Sequence, residues 1–204
     1  MKHRHPWTAI VLLLVLLIAG KGEAFTIDFE GLADLTAVTN QYSSFGVEFS
    51  NATILTAGIS LNEFEFPPHS GQNVVFDDGG SVAVHFIVPI SHFGAYFTYL
   101  APLTLSFFDI TDTLVGTVGS TFLSNLALSG DPGSSPNEFL GFASGAGLGL
   151  GRVVIAGDPL GGSFTMDDLT ANPLNPVPEP STVLLMGAGI AALAAWRQRK
   201  GRQA

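Results

Sequence analysis

Short runs rich in Val, Ile, Phe and Thr are separated by clusters of Gly, Asp, Asn and Pro throughout residues 25–169. Runs of this kind are typical of β-strands joined by turns, and no amphipathic helical pattern competes with them. In the clearest run, apolar side chains stand at every second position, at Val82, Val84, Phe86 and Val88. That is the period of a strand with one face on a core. We therefore predict an all-β, jelly-roll-like β-sandwich. The predicted strands are 25–30, 46–49, 73–76, 82–88, 92–98, 103–109, 114–118, 138–142, 152–156 and 163–169.

The length of 204 residues suits one domain of ordinary size with terminal segments. The chain contains 24 Gly and 12 Pro, and 47% of its residues are hydrophobic, so we expect a folded domain with many turns. Cysteine is absent, which excludes disulfides, thiol chemistry and cysteine-ligated zinc. We predict that residues 25–172 form the domain.

The charge is distributed unevenly along the chain. Between positions 25 and 176, Arg152 is the one basic residue, and it stands against all but two of the chain's 17 acidic residues. The field of so acidic a domain repels phosphate, so nucleic acid is not an expected partner. Divalent cations and neutral polymers are better candidates.

The amino terminus has the pattern of a secretory signal peptide. Lys2 and Arg4 supply positive charge, residues 8–19 form an unbroken apolar run, and Gly22-Glu23-Ala24 is a cleavage site of the small-x-small type. We predict a signal peptide over residues 1–24, export by the Sec translocon and cleavage between Ala24 and Phe25. A retained membrane anchor is the alternative, but the run is shorter than the about 20 residues that a span requires.

The carboxy terminus has three parts in order. Residues 173–181 form a Pro-rich linker, residues 182–196 an apolar segment, and residues 197–204 a basic tail. As a helix the apolar segment is about 22 Å long, which is short for a hydrocarbon core of about 30 Å. We predict a single short transmembrane helix ending at Trp196, with the basic tail in the cytoplasm and the acidic domain outside.

The residues Val177, Pro178, Glu179 and Pro180, with the apolar and Arg-rich segments that follow, resemble the PEP-CTERM sorting signal of polysaccharide-producing Gram-negative bacteria. The resemblance implies that a membrane protease, exosortase, recognises the Pro-Glu-Pro element and removes the tail. The protein would then pass from a transient inner-membrane anchor, with its domain in the periplasm, to the cell surface or the extracellular matrix. An ordinary tail anchor with an incidental Pro-Glu-Pro is the alternative.

The domain more loosely resembles jelly-roll modules of the carbohydrate-binding and discoidin-like kinds. The segments that carry this resemblance are 27–31, 42–49, 70–74, 89–94 and 164–169. In such modules the first and last strands pair and often share a structural calcium ion. Because Asp28 and Glu30 lie in the first strand and Asp167 and Asp168 in the last, these four carboxylates are the candidate calcium ligands. The alternative is four solvated carboxylates at strand edges or turns.

Signatures of acyl, zinc and phosphoryl chemistry are absent from the sequence. His85 and His92 would face each other if Val88-Pro89 were a two-residue turn, but histidines in strands commonly have structural roles. The acidic pairs Glu63/Glu65 and Asp77/Asp78 are candidates for glycoside hydrolysis, although neighbouring acids usually belong to turns or surfaces. We predict that the protein is not an enzyme.

Aromatic residues of the domain are candidates for stacking on sugar rings. These candidates are Tyr42, Tyr96, Phe97 and Tyr99. Both Trp residues lie in the terminal segments, which weakens the case for sugar binding. We therefore predict a non-catalytic structural or adhesive role in exopolysaccharide or biofilm, with a carbohydrate-binding module as the first alternative and a secreted glycoside hydrolase as the second.

Overall fold

The computed structural model describes residues 23–174, which form antiparallel β-strands and one short 3-10 helix, Ser43–Phe45. The strands are β1 Phe25–Ile27, β2 Ala37–Val38, β3 Val47–Ser50, β4 Ala52–Thr56, β5 Asn73–Asp77, β6 Val82–Tyr99, β7 Thr104–Asp109, β8 Leu114–Gly119, β9 Glu138–Ala143, β10 Leu150–Ala156 and β11 Phe164–Pro173. None of the helical structure in residues 23–174 is long and apolar enough to cross a membrane. The predicted signal peptide and transmembrane helix lie outside the described residues.

Strand β6 belongs to both layers of the sandwich. Its first half pairs with β3 on one side and β10 on the other, and β7 and β8 extend this layer in the order β3-β6-β10-β7-β8. Its second half pairs with β11 and β9, in a layer ordered β2-β4-β5-β11-β6-β9, with β1 beside β11. We call these layer one and layer two. The predicted all-β, jelly-roll-like sandwich is confirmed for residues 23–174.

The passage of β6 between the layers corrects one prediction. The sequence predicted two separate strands, 82–88 and 92–98, but β6 is continuous from Val82 to Tyr99. Proline has no N–H for a ladder hydrogen bond, and Pro89 lies where β6 leaves its partners in one layer for those in the other. His85 therefore lies in layer one and His92 in layer two, so the two do not face each other across a hairpin.

Aromatic side chains join the two layers in one core. Phe107 of β7 lies 5.9 Å from Phe93 of β6 and 4.6 Å from Phe142 of β9, measured between ring centroids. The alternation of β6 places Phe93, Ala95, Phe97 and Tyr99 inside, all fully buried. Consequently Gly94, Tyr96 and Thr98 lie on the outer face of layer two.

The first and last strands pair, as the resemblance to jelly-roll modules implies. Ile27 lies opposite Leu169 and Phe25 opposite Ala171. A bulge interrupts β11 between Asp167 and Thr170 where it pairs with β6, and Asp168 there has a positive φ of 47°. The bulge changes which side chains of β11 face inward, because Met166 and Leu169 are both buried.

Candidate functional site

An exposed aromatic ring lies on the outer face of layer two. Phe139 of β9 stands opposite Tyr96 of β6, and the two ring centroids are 5.2 Å apart with the planes at 62°. Phe139 lies on an edge strand, since β9 pairs only with β6 in the described residues, and its side chain is 49% exposed. The alternation of β9 explains this, because the neighbouring Leu140 points into the core.

Two glycines make room for the Phe139 ring. Gly94 of β6 and Gly141 of β9 are opposite each other, and neither has a side chain above the sheet. A Cβ atom on Gly94 would overlap the ring, and one on Gly141 would lie 3.1 Å from it. The Phe139 ring therefore lies over the backbone of both strands and leaves its other side open to solvent.

His69 forms one side of this site. Its imidazole stacks on the Tyr96 ring with centroids 3.4 Å apart and planes at 9°, and its Nδ1 lies 2.6 Å from Asp168 Oδ2. Within residues 23–174, the Tyr96 hydroxyl and His69 Nε2 make no hydrogen bond, and no buried side-chain N or O atom there lacks a partner. Both atoms are therefore accessible to a ligand. We call Phe139, Tyr96 and His69, with Gly94 and Gly141 beneath Phe139, the aromatic surface.

Thr170 of β11 borders the aromatic surface on the side of β6 away from β9. It lies opposite Gly94, and its hydroxyl donates a hydrogen bond of 3.1 Å to the Gly94 carbonyl oxygen. The Thr170 oxygen retains a lone pair that can accept a hydrogen bond from a ligand. A ring bound on Phe139 would thus have polar atoms on two sides.

Asp167 holds the segment that carries His69. Its Oδ2 accepts hydrogen bonds from the backbone N–H groups of His69 at 2.8 Å and Ser70 at 2.9 Å. The Asp167 side chain is only 1% exposed. Burial, with a smaller contribution from the charge of Asp168, raises the pKa of Asp167 to about 6.

Three of the four carboxylates predicted as calcium ligands, Glu30, Asp167 and Asp168, contact residues 69–73. Glu30 Oε1 accepts the N–H groups of Gln72 and Asn73 at 2.9 and 2.7 Å, next to the residues that Asp167 holds. Asp168 accepts a hydrogen bond from the Ser70 hydroxyl. Asp28 accepts a hydrogen bond only from the N–H of Glu30.

In the described part of the chain, no group of three or more His, Asp or Glu side chains is arranged to hold a metal ion. Oxygens of Glu30 and Asp167 already accept hydrogen bonds from backbone N–H groups. The calcium site stays a prediction.

The other sequence-based candidates lie apart from the aromatic surface. Phe97 and Tyr99 are fully buried, and Tyr42 packs against Phe29 and Phe49, so Tyr96 is the one predicted stacking residue on this outer face. Phe139 was not predicted. The alternation of Phe139, Leu140 and Gly141 was the available signal, but it needs the strand's partners to show which face is outside.

In each of the two acidic pairs, one member accepts hydrogen bonds from backbone N–H groups. Asp77 is fully buried and accepts hydrogen bonds from the N–H and hydroxyl of Ser163 and the N–H of Phe164, whereas Asp78 is exposed. Burial raises the pKa of Asp77. Glu65 accepts hydrogen bonds from the N–H groups of Leu128 and Ser129, and these hydrogen bonds lower the pKa of Glu65. These contacts tie loops and strands together.

A concave region of about 500 Å³ lies on the outer face of layer one beside Arg152. Arg152 Nε donates a hydrogen bond of 2.9 Å to Asp112 Oδ1. The central carbon of the guanidinium, Cζ, lies 3.9 Å from the centroid of the Phe108 ring. The charge of Arg152 is therefore already paired.

Comparisons with known proteins identify the tail. The PEP-CTERM protein-sorting motif matches residues 176–200, so the predicted sorting signal is confirmed. No curated protein matches this chain. The solved structures that resemble it include the K2 cleaved adhesin domain of Lys-gingipain, at 13% identity and a TM-score of 0.45, covering 74% of this chain and 99% of that one. A family 29 carbohydrate-binding module from Piromyces equi has 9% identity and a TM-score of 0.41, covering 74% and 91%. A mutant of a second family 29 module, complexed with cellulohexaose, has 10% identity and a TM-score of 0.38, covering 74% and 92%.

Proposed function

We propose that this protein is a non-catalytic adhesive component of the bacterial cell surface or extracellular matrix, and that it holds polysaccharide on the aromatic surface of layer two. The PEP-CTERM motif implies an exported protein that passes through a membrane-anchored stage. In the proposal, the Sec translocon exports the chain, exosortase removes the tail, and the domain moves from the periplasm to the outside of the cell.

The observation that carries the adhesive role is the exposed Phe139 ring over Gly94 and Gly141. Ligand sites combine an apolar surface with a few polar groups that set the orientation. A sugar ring has the matching chemistry, because its C–H face can lie on an aromatic ring while its hydroxyls reach polar atoms at the edge. The Tyr96 hydroxyl, His69 Nε2 and the Thr170 hydroxyl are such atoms.

A purely structural role for Phe139 is the competing explanation. An aromatic side chain that covers a glycine in a neighbouring strand stabilises the sheet by itself. Such packing explains why the Phe139 ring lies over the glycines. It does not explain why the Tyr96 hydroxyl and His69 Nε2 beside the ring make no hydrogen bond within residues 23–174. The two explanations differ in whether the Phe139 ring contributes to ligand affinity.

Affinity electrophoresis of the full-length protein in mild detergent tests the proposal, with soluble polysaccharides cast into the gel. We expect Phe139→Ala to weaken retention about tenfold, the equivalent of about 1.4 kcal/mol. Phe139→Tyr should retain most of the affinity, because it keeps the ring. Phe64→Ala is the matched control, since Phe64 is 71% exposed and lies outside the aromatic surface.

Two results would contradict the proposal. Retention that is equal in the wild type and in Phe139→Ala would assign Phe139 a structural role only. Release of reducing ends from a retained polysaccharide would favour the glycoside hydrolase alternative instead.

A further inference from the structure

We infer that the aromatic surface selects neutral polysaccharides and excludes polymers that carry carboxylate or sulfate groups. This inference rests on the proposed adhesive function and names the ligand class of the same site. Three features carry it: the charge beside the aromatic surface, the position of the domain's cation, and the kind of polar atoms that face a ligand.

The charges next to the aromatic surface are negative. Asp168 contacts His69, and its side chain is 15% exposed, while Asp167 lies directly behind the same segment. Glu30 holds the backbone two residues further along, at Gln72. An anionic sugar stacked on Phe139 would therefore approach carboxylates of its own sign, and this repulsion weakens binding.

No Lys or Arg of residues 23–174 lies beside the aromatic surface to offset them. Arg152 is the one Lys or Arg between residues 23 and 174. It lies on β10 in layer one, where its neighbours across the ladder are His85 and Phe108, and its guanidinium is paired with Asp112. The aromatic surface is on the outer face of layer two. A carboxylate or sulfate bound there would lose hydration without gaining an ion pair, which is costly.

The accessible polar atoms suit hydroxyl groups. The Tyr96 hydroxyl both donates and accepts hydrogen bonds, the Thr170 oxygen accepts one, and His69 Nε2 does either according to its protonation. A protonated His69 adds a positive charge, but Asp168 lies against the same imidazole and neutralises it. Sugar hydroxyls, which donate and accept equally, match these atoms without any net charge.

Affinity electrophoresis of the full-length protein tests this ligand class. The neutral polymers are hydroxyethylcellulose, galactomannan and dextran, and the anionic polymers are alginate and polygalacturonate. Each is tested at about 20 mM and about 500 mM salt, because the higher concentration screens charges beyond a few Å. We expect retention by at least one neutral polymer at both salt concentrations, with a loss of about tenfold in Phe139→Ala. Alginate and polygalacturonate should give no retention at low salt.

A variant with an added cation tests the electrostatic cause. Asn172 is exposed on β11, two residues beyond Thr170, and lies opposite His92. Alginate should retain Asn172→Lys at low salt but not at high salt, because salt screens the added charge. Retention of this variant by the neutral polymers should stay within about twofold of that of the wild type. Asn172→Gln is the control for side-chain size.

The outcomes separate the two proposals. Retention of the wild type by alginate at low salt, equal to or stronger than its retention by neutral polymers, would overturn the neutral class and leave the adhesive function standing. Absence of retention by any polymer would overturn the adhesive function and the ligand class together. Retention of alginate that appears only at high salt would support exclusion by charge.

Discussion

The Phe139 ring occupies the space that a side chain at Gly94 would fill. The ring thus reaches from β9 over the backbone of β6 on the outer face of layer two, where it lies beside Tyr96. The position of the ring therefore depends on the residue below it as much as on Phe139 itself.

Substitution of Gly94 should displace the ring without unfolding the domain. A Cβ atom in Gly94→Ala meets the Phe139 ring, which is half-exposed and can swing away, while alanine in a strand recovers about 0.5–1 kcal/mol of backbone entropy. We expect polysaccharide retention to fall about tenfold and the free energy of unfolding in urea to change by less than about 1 kcal/mol. Gly145→Ala is the control, because nothing lies within 4 Å of its added Cβ. Unchanged retention in Gly94→Ala would show that the ring's position does not matter for binding.

Asp167 should make stability depend on pH. Its pKa in the folded protein is about 6, against an ordinary value of 3.8, so the folded state binds more protons between these values. The contribution of Asp167 to the free energy of unfolding is therefore largest below about pH 4 and falls as the pH rises through about 6. The fall is on the order of 3 kcal/mol, at 1.36 kcal/mol per pKa unit.

Urea unfolding of the wild type and of Asp167→Asn between pH 4 and pH 7 measures this dependence. The stability difference between the two should shrink as the pH rises, because the asparagine does not titrate. Asp168 and His69, the titratable neighbours of Asp167, are present in both proteins. A difference that stays constant over this range would contradict the raised pKa.

Asp77 should be far more important for stability than its neighbour in the sequence. Asp77→Ala leaves the N–H groups of Ser163 and Phe164 buried without an acceptor, and we expect a loss on the order of 3 kcal/mol or more in the free energy of unfolding. Asp78→Ala removes only an exposed hydrogen bond of 2.9 Å from the Thr53 hydroxyl, so its cost should be about 0.5 kcal/mol. Equal losses in the two variants would show that the buried contacts of Asp77 do not govern stability.

The calcium prediction can be decided by thermal unfolding. Because oxygens of Glu30 and Asp167 already accept backbone N–H groups, we expect the same Tm with calcium and with chelator. A Tm that rises with calcium and returns with chelator would instead support the ligand set Asp28, Glu30, Asp167 and Asp168. Loss of that rise in Asp28→Asn would then identify the site, since Asp28 accepts no hydrogen bond from a distant segment.

The terminal segments should be absent from the working protein. Mass spectrometry of protein recovered from the cell surface should give a chain that starts at Phe25 and lacks residues 196–202. Glu179→Ala should keep the tail and hold the protein in the membrane fraction, whereas Asn175→Ala, just before the matched motif, should be processed normally. Surface protein that still contains Trp196 would show that the tail is an anchor and not a sorting signal.

Local patterns predicted most of the strands but not their partners. The alternation from Val82 to Val88 identified a strand correctly, yet β6 continues to Tyr99, and a local pattern cannot show that its halves pair in different layers. Strand β4 was not predicted, although Ala52, Ile54 and Thr56 alternate inward, because only Asn51 separates it from β3 and no turn cluster marks its start.

The candidate site was only partly predictable for the same reason. Tyr96 was named as a stacking residue together with Phe97 and Tyr99, and nothing local separates the three. The core decides between them, because burial of Phe97 and Tyr99 requires that Tyr96 point outward.

The sequence by itself determined the sorting motif, the all-β class and the acidic character of the domain, since each of these depends on residue types and on short-range order. Only the tertiary structure decided that Phe139 lies over Gly94 and Gly141 and beside Tyr96, which is 43 positions away in the chain. The physical reason is that strand register is set by long-range pairing. A shift of one residue would turn Phe139 into the core and remove the aromatic surface.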